Sequence, residues 1–251
     1  MTQKKRWEDV YKEENPFRLP YTLLRALKES AENFHNEYDI KYLWIYVSHD
    51  ALGEPQTGTS RLTLDDWLSV VDEAASLGVE HVVVSVGGTL ADHPEVAEIC
   101  RWAQSVYGMQ VGVHFYGQAL PQLENELIQK LDTANTTIFF EPHLEKAARI
   151  FQEQGFAVFP AEGQDQDYVS PDCHLPEQMT CVGASGTLYT CGLVLGDKQY
   201  RLGHCFERKI GHYMKDSSLP HVIPEGMPKT KHRCNGCPPL MVEKMRKRPV
   251  S

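Results

Sequence analysis

What the chain lacks narrows its class first. Nowhere in its 251 residues do about eighteen apolar residues run together, so no segment reads as a membrane-spanning helix. The opening stretch from Met1 to Val10 is charged and has no apolar core of the kind a secretory signal needs. The expectation is a cytoplasmic protein with no membrane partner. Positive charge is also short. Against 34 Asp and Glu stand 25 Lys and Arg, leaving a net charge of -9 and a pI near 5.7. Such a surface is poorly suited to nucleic-acid phosphates, and nucleic acid is not an expected partner. The one basic run, Lys244 to Arg248, reads as a solvated tail. An even set of cysteines is missing too. Seven occur, six of them between Asp172 and Pro239. An odd number gathered around a Cys-x-x-Cys peptide points to metal or redox chemistry in a reducing compartment rather than to a disulfide framework.

What is present is a core-forming chain, 41% hydrophobic, with a regular alternation. Leu23, Leu24, Leu27, Ala31 and Phe34 repeat at helical spacing, so residues 1–39 read as a helical extension. Tyr42 to Ser48 is then a continuous apolar run of strand length, the pattern of a strand buried on both faces. Thr63 can cap a helix carrying Leu64, Trp67, Leu68, Val71 and Ala75, and Gly78 ends it. Val79 to Val86 reads as the next strand, broken by Gly87-Gly88 before a helix over 94–107. The alternation continues through a strand at Gln110–Tyr116, a helix near 120–131, a strand at Thr136–Phe140, a helix over 143–154 and a strand at Phe156–Phe159. Five strands with intervening helices imply parallel pairing through right-handed crossovers. Periodicity does not decide between an open sheet and a partial barrel. Beyond Pro160 the composition turns to Gln, Asp, Pro and Cys, which divides the alternating region (40–165) from a cysteine region (166–241) and a basic tail (242–251).

Within the cysteine region, Cys234-Asn-Gly-Cys237 lets two sulfurs turn toward one centre, with Gly236 easing the turn. Between Thr180 and Leu195 the apolar and small residues flank Ala-Ser-Gly186, as in a β-hairpin with Gly186 in its turn and Cys191 on the returning strand. Four thiolates from Cys173, Cys191, Cys234 and Cys237 would complete a tetrahedral Zn²⁺ site or hold a 4Fe-4S cluster, and spacing does not choose between them. Cys100, in Glu-Ile-Cys-Arg-Trp, reads as a buried helix thiol.

The run Cys173, twelve residues, Gly186, four residues, Cys191, then a distant Cys-x-x-Cys, resembles the SPASM and Twitch auxiliary-cluster domains that follow the barrel of many radical SAM enzymes. Leu202-Gly203, on a segment leading to a helix, fits that pattern. No cysteine follows Cys237, so the one-cluster Twitch form is the better match. The resemblance implies an α/β fold, a partial (β/α) barrel of about five parallel strands followed by a hairpin-plus-helix cluster domain. It also leaves Cys181 and Cys205 as non-ligands, and sets Gly87-Gly88 where the family has its GGE motif. Two parts of the SAM site that it would imply are missing. The loop from Ser48 to Ser60 holds no cysteine in place of CxxxCxxC, and Thr89 stands where the acid of GGE would be. SAM is therefore not an expected cofactor.

Three functions follow. The first is a non-catalytic radical-SAM-like protein that holds one auxiliary-type 4Fe-4S cluster and serves in electron transfer, redox sensing or as a scaffold. It would act beside a protein, peptide or redox partner in a maturation or modification pathway. The second is an enzyme reusing the strand ends, where His49, Asp50, Asp92, His93, Glu141, His143 and Glu162 lie and where His114 sits inside strand three. His49, Asp50, His114 and Glu141 are its catalytic candidates; surface or capping roles are the plainer reading of such residues. The third is a binding module stabilised by a Cys₄ zinc knot.

Overall fold

The computed structural model describes residues 40–48, 61–87, 90–116, 131–160, 175–223 and 237. The expected N-terminal helices (1–39) and basic tail (242–251) lie outside them, as does nearly all of the helix expected over 120–131.

The alternation predicted from apolar runs is present. Strand β1 (Tyr42–Tyr46) leads through helix α1 (Leu64–Ser76) to β2 (His81–Gly87), then through α2 (Glu95–Tyr107) to β3 (Gln110–Tyr116). After β4 (Thr136–Phe140) come α3 (Glu145–Glu153) and β5 (Ala157–Pro160). Thr63 caps α1 by a complete capping box: its hydroxyl accepts from Asp66 N–H while the Asp66 carboxylate accepts from Thr63 N–H.

The cysteine region continues the same sheet. Strand β6 (Met179–Val182) pairs parallel with β1, and β7 (Thr187–Tyr189) and β8 (Arg201–His204) follow antiparallel, before the short helix α4 (Ile210–Met214). Among the described residues the order is β5-β4-β3-β2-β1-β6-β7-β8, eight strands, six of them mutually parallel and the sheet not closed on itself. Gly186 sits in the hairpin turn with φ 85°, a backbone state glycine adopts without steric cost.

From β1 to β5 each strand is added on the same side of the last. Right-handed crossovers that always step one way leave every connecting helix on one face. Burial agrees with this. Leu43, Ile45, Val82, Val84, Val113 and Phe115 share a core with Trp67 and Val71 of α1, Ile99 and Ala103 of α2, and Phe151 of α3. The alternate residues, Tyr42, Trp44, Tyr46, Val83 and Phe139, point to the opposite face. Among the described residues they meet no α-helix there, but the chain of the cysteine region: Met179, Cys181, Tyr189, Cys191, Val194, Tyr200, Ile223 and Cys237. This helix-free face is where most of the remaining polar chemistry is found.

Candidate functional site

Three groups of side chains lie on or beside the helix-free face. The first is sulfur. Cys191 and Cys237, 46 residues apart in sequence, belong to one buried cluster on that face. Cys191 lies two residues past the end of β7 rather than on it. It opens the turn Gly192–Val194, and its Sγ accepts the N–H of Leu193 at 3.3 Å. Gly192 is what allows this turn to rest on the sheet, since a Cβ there would stand 2.6 Å from Tyr46 Cε2 and 2.8 Å from Trp44 Cδ2. Cys173 and Cys234 lie outside the described residues, and among the described residues no three His, Cys, Asp or Glu gather as metal ligands do.

The other cysteines divide by face. Cys205 packs with the helix-side core, and burial, the largest influence, pushes its thiol up to about 12. Cys100 of α2 is fully buried there, its thiol likewise pushed up to about 12 by burial. Both lie in the helix-side core rather than in the cluster that holds Cys191 and Cys237. Cys181 is different: it shares the helix-free cluster with Cys191 and Cys237, opposite Trp44 and Tyr189 in register. Its place on a strand between two neighbours is what the sequence suggests; its membership of the same buried cluster as Cys191 and Cys237 is not.

The second group closes the ends of β1 and β2. Ser48 donates to Gly87 O at 3.0 Å and accepts from Gly87 N–H at 2.9 Å. His93 Nε2 lies 2.9 Å from Ser48 Oγ, and its Nδ1 faces both the Arg61 guanidinium and, at 3.4 Å, Glu95. Arg61 also donates to Glu95 at 2.9 Å and to Val47 O at 3.1 Å. By residue type this is serine, histidine and carboxylate, but the protons run the wrong way for a nucleophile. Arginine can only donate, so Nδ1 accepts and the neutral ring carries its proton on Nε2, aimed at Ser48. The serine proton is already given to Gly87 O. The group is a lock on the strand ends, not an activated hydroxyl. Burial, the largest influence on Glu95, would raise its pKa. The contact with His93, its own backbone N–H and the Arg61 charge together outweigh it and hold the carboxyl below the usual range.

The third group runs across the middle of the face. Trp44 Nε1 donates to Ser85 Oγ at 2.7 Å, Ser85 Oγ lies 2.9 Å from His114 Nδ1, and His114 Nε2 lies 3.7 Å from Glu141 Oε1. Strand register sets the line, with Tyr46 opposite Ser85 and Ser85 opposite His114. The structure thus brings together two of the four catalytic candidates, His114 and Glu141. His49, Asp50 and Glu162 lie outside the described residues. Asp92 and His143 sit in one-turn helices, Leu90–Asp92 and Pro142–Leu144. Sequence reasoning passed over Ser85, Trp44, Ser48 and Arg61; a lone serine inside an apolar strand, Val-Val-Val-Ser-Val, was the available signal for Ser85.

No family model matches the chain, and no curated protein does. Six chains of solved structure match it. One is the crystal structure of Streptococcus suis SuiB bound to S-adenosylmethionine, 14% identical, with a TM-score of 0.51, over 82% of this chain and 71% of that one. At that identity the likeness is one of fold. No helix among the described residues is long and apolar enough to cross a membrane.

Proposed function

We propose that this chain is a radical-SAM-like protein that binds a single 4Fe-4S cluster through Cys173, Cys191, Cys234 and Cys237, and that it transfers electrons, senses redox state or serves as a scaffold rather than cleaving SAM. The observation that carries the reading is the burial of Cys191 and Cys237 in one cluster on the helix-free face. The donor set fits the group. All four are soft sulfurs; Cys191 and Cys237 are screened from water, and Cys191 accepts a backbone N–H as cluster and metal thiolates do. When bound, such a cluster supplies a one-electron couple, and four cysteine ligands leave no open iron. The chain's own residues would set the environment: Trp44 and Tyr46 press on the Cys191 turn, and the apolar neighbours Val194 and Ile223 keep the site dry. The likeness of fold to SuiB supports the scaffold. Thr89 stands where the resemblance would put an acid, and the Ser48, His93 and Arg61 lock holds Gly87; both favour loss of SAM chemistry. Its partner is then a protein, peptide or redox protein of the cytoplasm.

The test is protein prepared without oxygen and analysed for iron, sulfide and zinc. About four irons and four sulfides per chain, lost on Cys191→Ser or Cys237→Ser and kept on Cys100→Ser or Cys205→Ser, is the expected result. A colourless protein with one zinc would replace the reading by the zinc-stabilised binding module. Formation of 5′-deoxyadenosine from SAM with a reductant would overturn the non-catalytic part. A second reading, an enzyme using the strand ends, is favoured by the meeting of His114 with Glu141.

A further inference from the structure

The two sides of the sheet differ in the aromatic rings they hold. The helix-side core has Phe115, Phe140, Phe151 and Phe156 beside Trp67, Trp102 and Tyr213. The side with Cys191 and Cys237 has Tyr42, Trp44, Tyr46, Tyr189 and Tyr200, with Tyr116 packed against them, beside Phe139 and Phe159. Phenol and indole rings give up an electron to strong oxidants, which the phenylalanine ring resists. A face that had only to pack would be filled as well by phenylalanine, with no polar tip to satisfy.

Trp44, Tyr46 and Tyr116 form a line that begins at the sulfur site. The turn that follows Cys191 rests on the first two: a Cβ on Gly192 would stand 2.8 Å from Trp44 Cδ2 and 2.6 Å from Tyr46 Cε2. These two rings are 0% and 1% exposed, with centroids 5.4 Å apart. Tyr46 in turn lies 5.7 Å from Tyr116, although β2 runs between their strands. Small residues on β2 permit that contact. In register Ser85 is opposite Tyr46 and Gly87 is opposite Tyr116, and a Cβ on Gly87 would stand 2.8 Å from Tyr116 Cε2. Tyr116 is half-buried and is the last residue of β3, as Gly87 is of β2. The line therefore runs from the turn at Cys191 to the C-terminal ends of β2 and β3, each step within the spacing of an aromatic pair in contact.

We propose that Trp44, Tyr46 and Tyr116 are an electron relay through which the sulfur site reduces a strong one-electron oxidant, such as an oxygen-centred radical, at the C-terminal ends of β2 and β3. The oxidant takes one electron from Tyr116, whose phenol proton leaves to solvent, so that a tyrosyl radical forms. Electrons then move outward one ring at a time, from Tyr46 to Tyr116 and from Trp44 to Tyr46, each phenol taking its proton back as it is refilled. The last electron comes from the sulfur site. That site ends one electron more oxidised, the oxidant one electron more reduced, and the three rings as they began. An ordinary redox protein is too weak an oxidant to engage these rings, so the relay stays idle during reversible electron exchange. The inference rests on the cluster reading for the source of the electron and on the rings alone for its path.

The path is tested in the full chain with Tyr46 replaced by 3-aminotyrosine, which oxidises more easily than tyrosine and traps the electron vacancy. Ruthenium(III) tris-bipyridine generated by a light flash is the oxidant, too bulky to touch a ring that is 1% exposed. In iron-free protein the expected result is an aminotyrosyl radical in the freeze-quenched electron paramagnetic resonance spectrum, lost in Tyr116→Phe. In iron-loaded protein that keeps Tyr46, the flash should bleach the iron-sulfur absorbance, and Trp44→Phe and Tyr116→Phe should each abolish the bleach. No radical at position 46, or the same radical in Tyr116→Phe, overturns the relay. A loaded chain that does not bleach, or that bleaches equally in Trp44→Phe, overturns the sulfur site as the electron source. Should Tyr116→Phe not fold, Tyr116 replaced by 2,3,5-trifluorotyrosine, which keeps the ring and hydroxyl but alters the ease of oxidation, decides: an unchanged radical yield overturns the relay. A chain that holds no iron sinks the cluster reading, while the trap at position 46 still decides the path.

Discussion

Glu73 and Glu95 are two half-buried carboxylates with opposite effects on stability. Glu73 accepts the N–H of Ile210 at 2.6 Å. Burial dominates and raises its pKa, against the Ile210 bond and the charges of Lys209 and His212. Its native form therefore holds a proton that the unfolded chain has already released. The linked stability is greatest in acid and declines as pH rises from the unfolded value, about 4.3, through the raised one. Glu95 is the reverse. Its folded value is lowered, so its contribution is present above the unfolded value and is lost as pH falls through the folded one. Urea midpoints across a pH series should show Glu73→Gln flattening that decline. Glu95→Gln should cost roughly 1 kcal/mol at neutral pH, with the partly exposed Arg61 contributing little of it, and nothing in strong acid. Gly192→Ala is expected to cost about 1–3 kcal/mol by overpacking, since the added carbon would meet Tyr46 and Trp44; the same urea titration reads it.

At the scale of elements, α1 and α2 are joined by one carboxylate. Trp102 Nε1 and Tyr107 OH both donate to Asp72 Oδ1, at 2.7 and 2.8 Å. Burial and then the Asp72 charge push the Tyr107 phenol well above its ordinary value. Because the two donors share an acceptor, Trp102→Phe and Tyr107→Phe should each cost about 1 kcal/mol. Together they should depart from additivity in a double-mutant cycle. Elements of this kind were legible from sequence: apolar runs marked β1 to β5, and Thr63 marked the start of α1. Less legible was where β6 goes. Four residues, Met-Thr-Cys-Val, carry no sign of pairing with a strand 137 positions earlier, as the Lys41 and Gln178 contact shows. The line from Trp44 to Glu141 was half visible, because residue type flagged His114 and Glu141 while Ser85 and Trp44 acquire a role only from register across β1, β2 and β3.

For the whole molecule, the continuous sheet makes a strong statement about the sulfur site. The strands carrying Cys181 and preceding Cys191 are hydrogen-bonded into the sheet that holds β1 to β5. Stripping the proposed cluster with a chelator under oxidising conditions should therefore lower the midpoint of one cooperative calorimetric transition rather than release a separate early one. Strand β1 bears a further consequence, in the order of synthesis. It pairs with β2 on one side and with β6 on the other, so one of its edges waits for a strand made 137 residues later. At ribosomal speed that wait lasts on the order of ten seconds. A nascent chain with an apolar strand edge open for so long is a natural client for a chaperone that shields β-edges during translation.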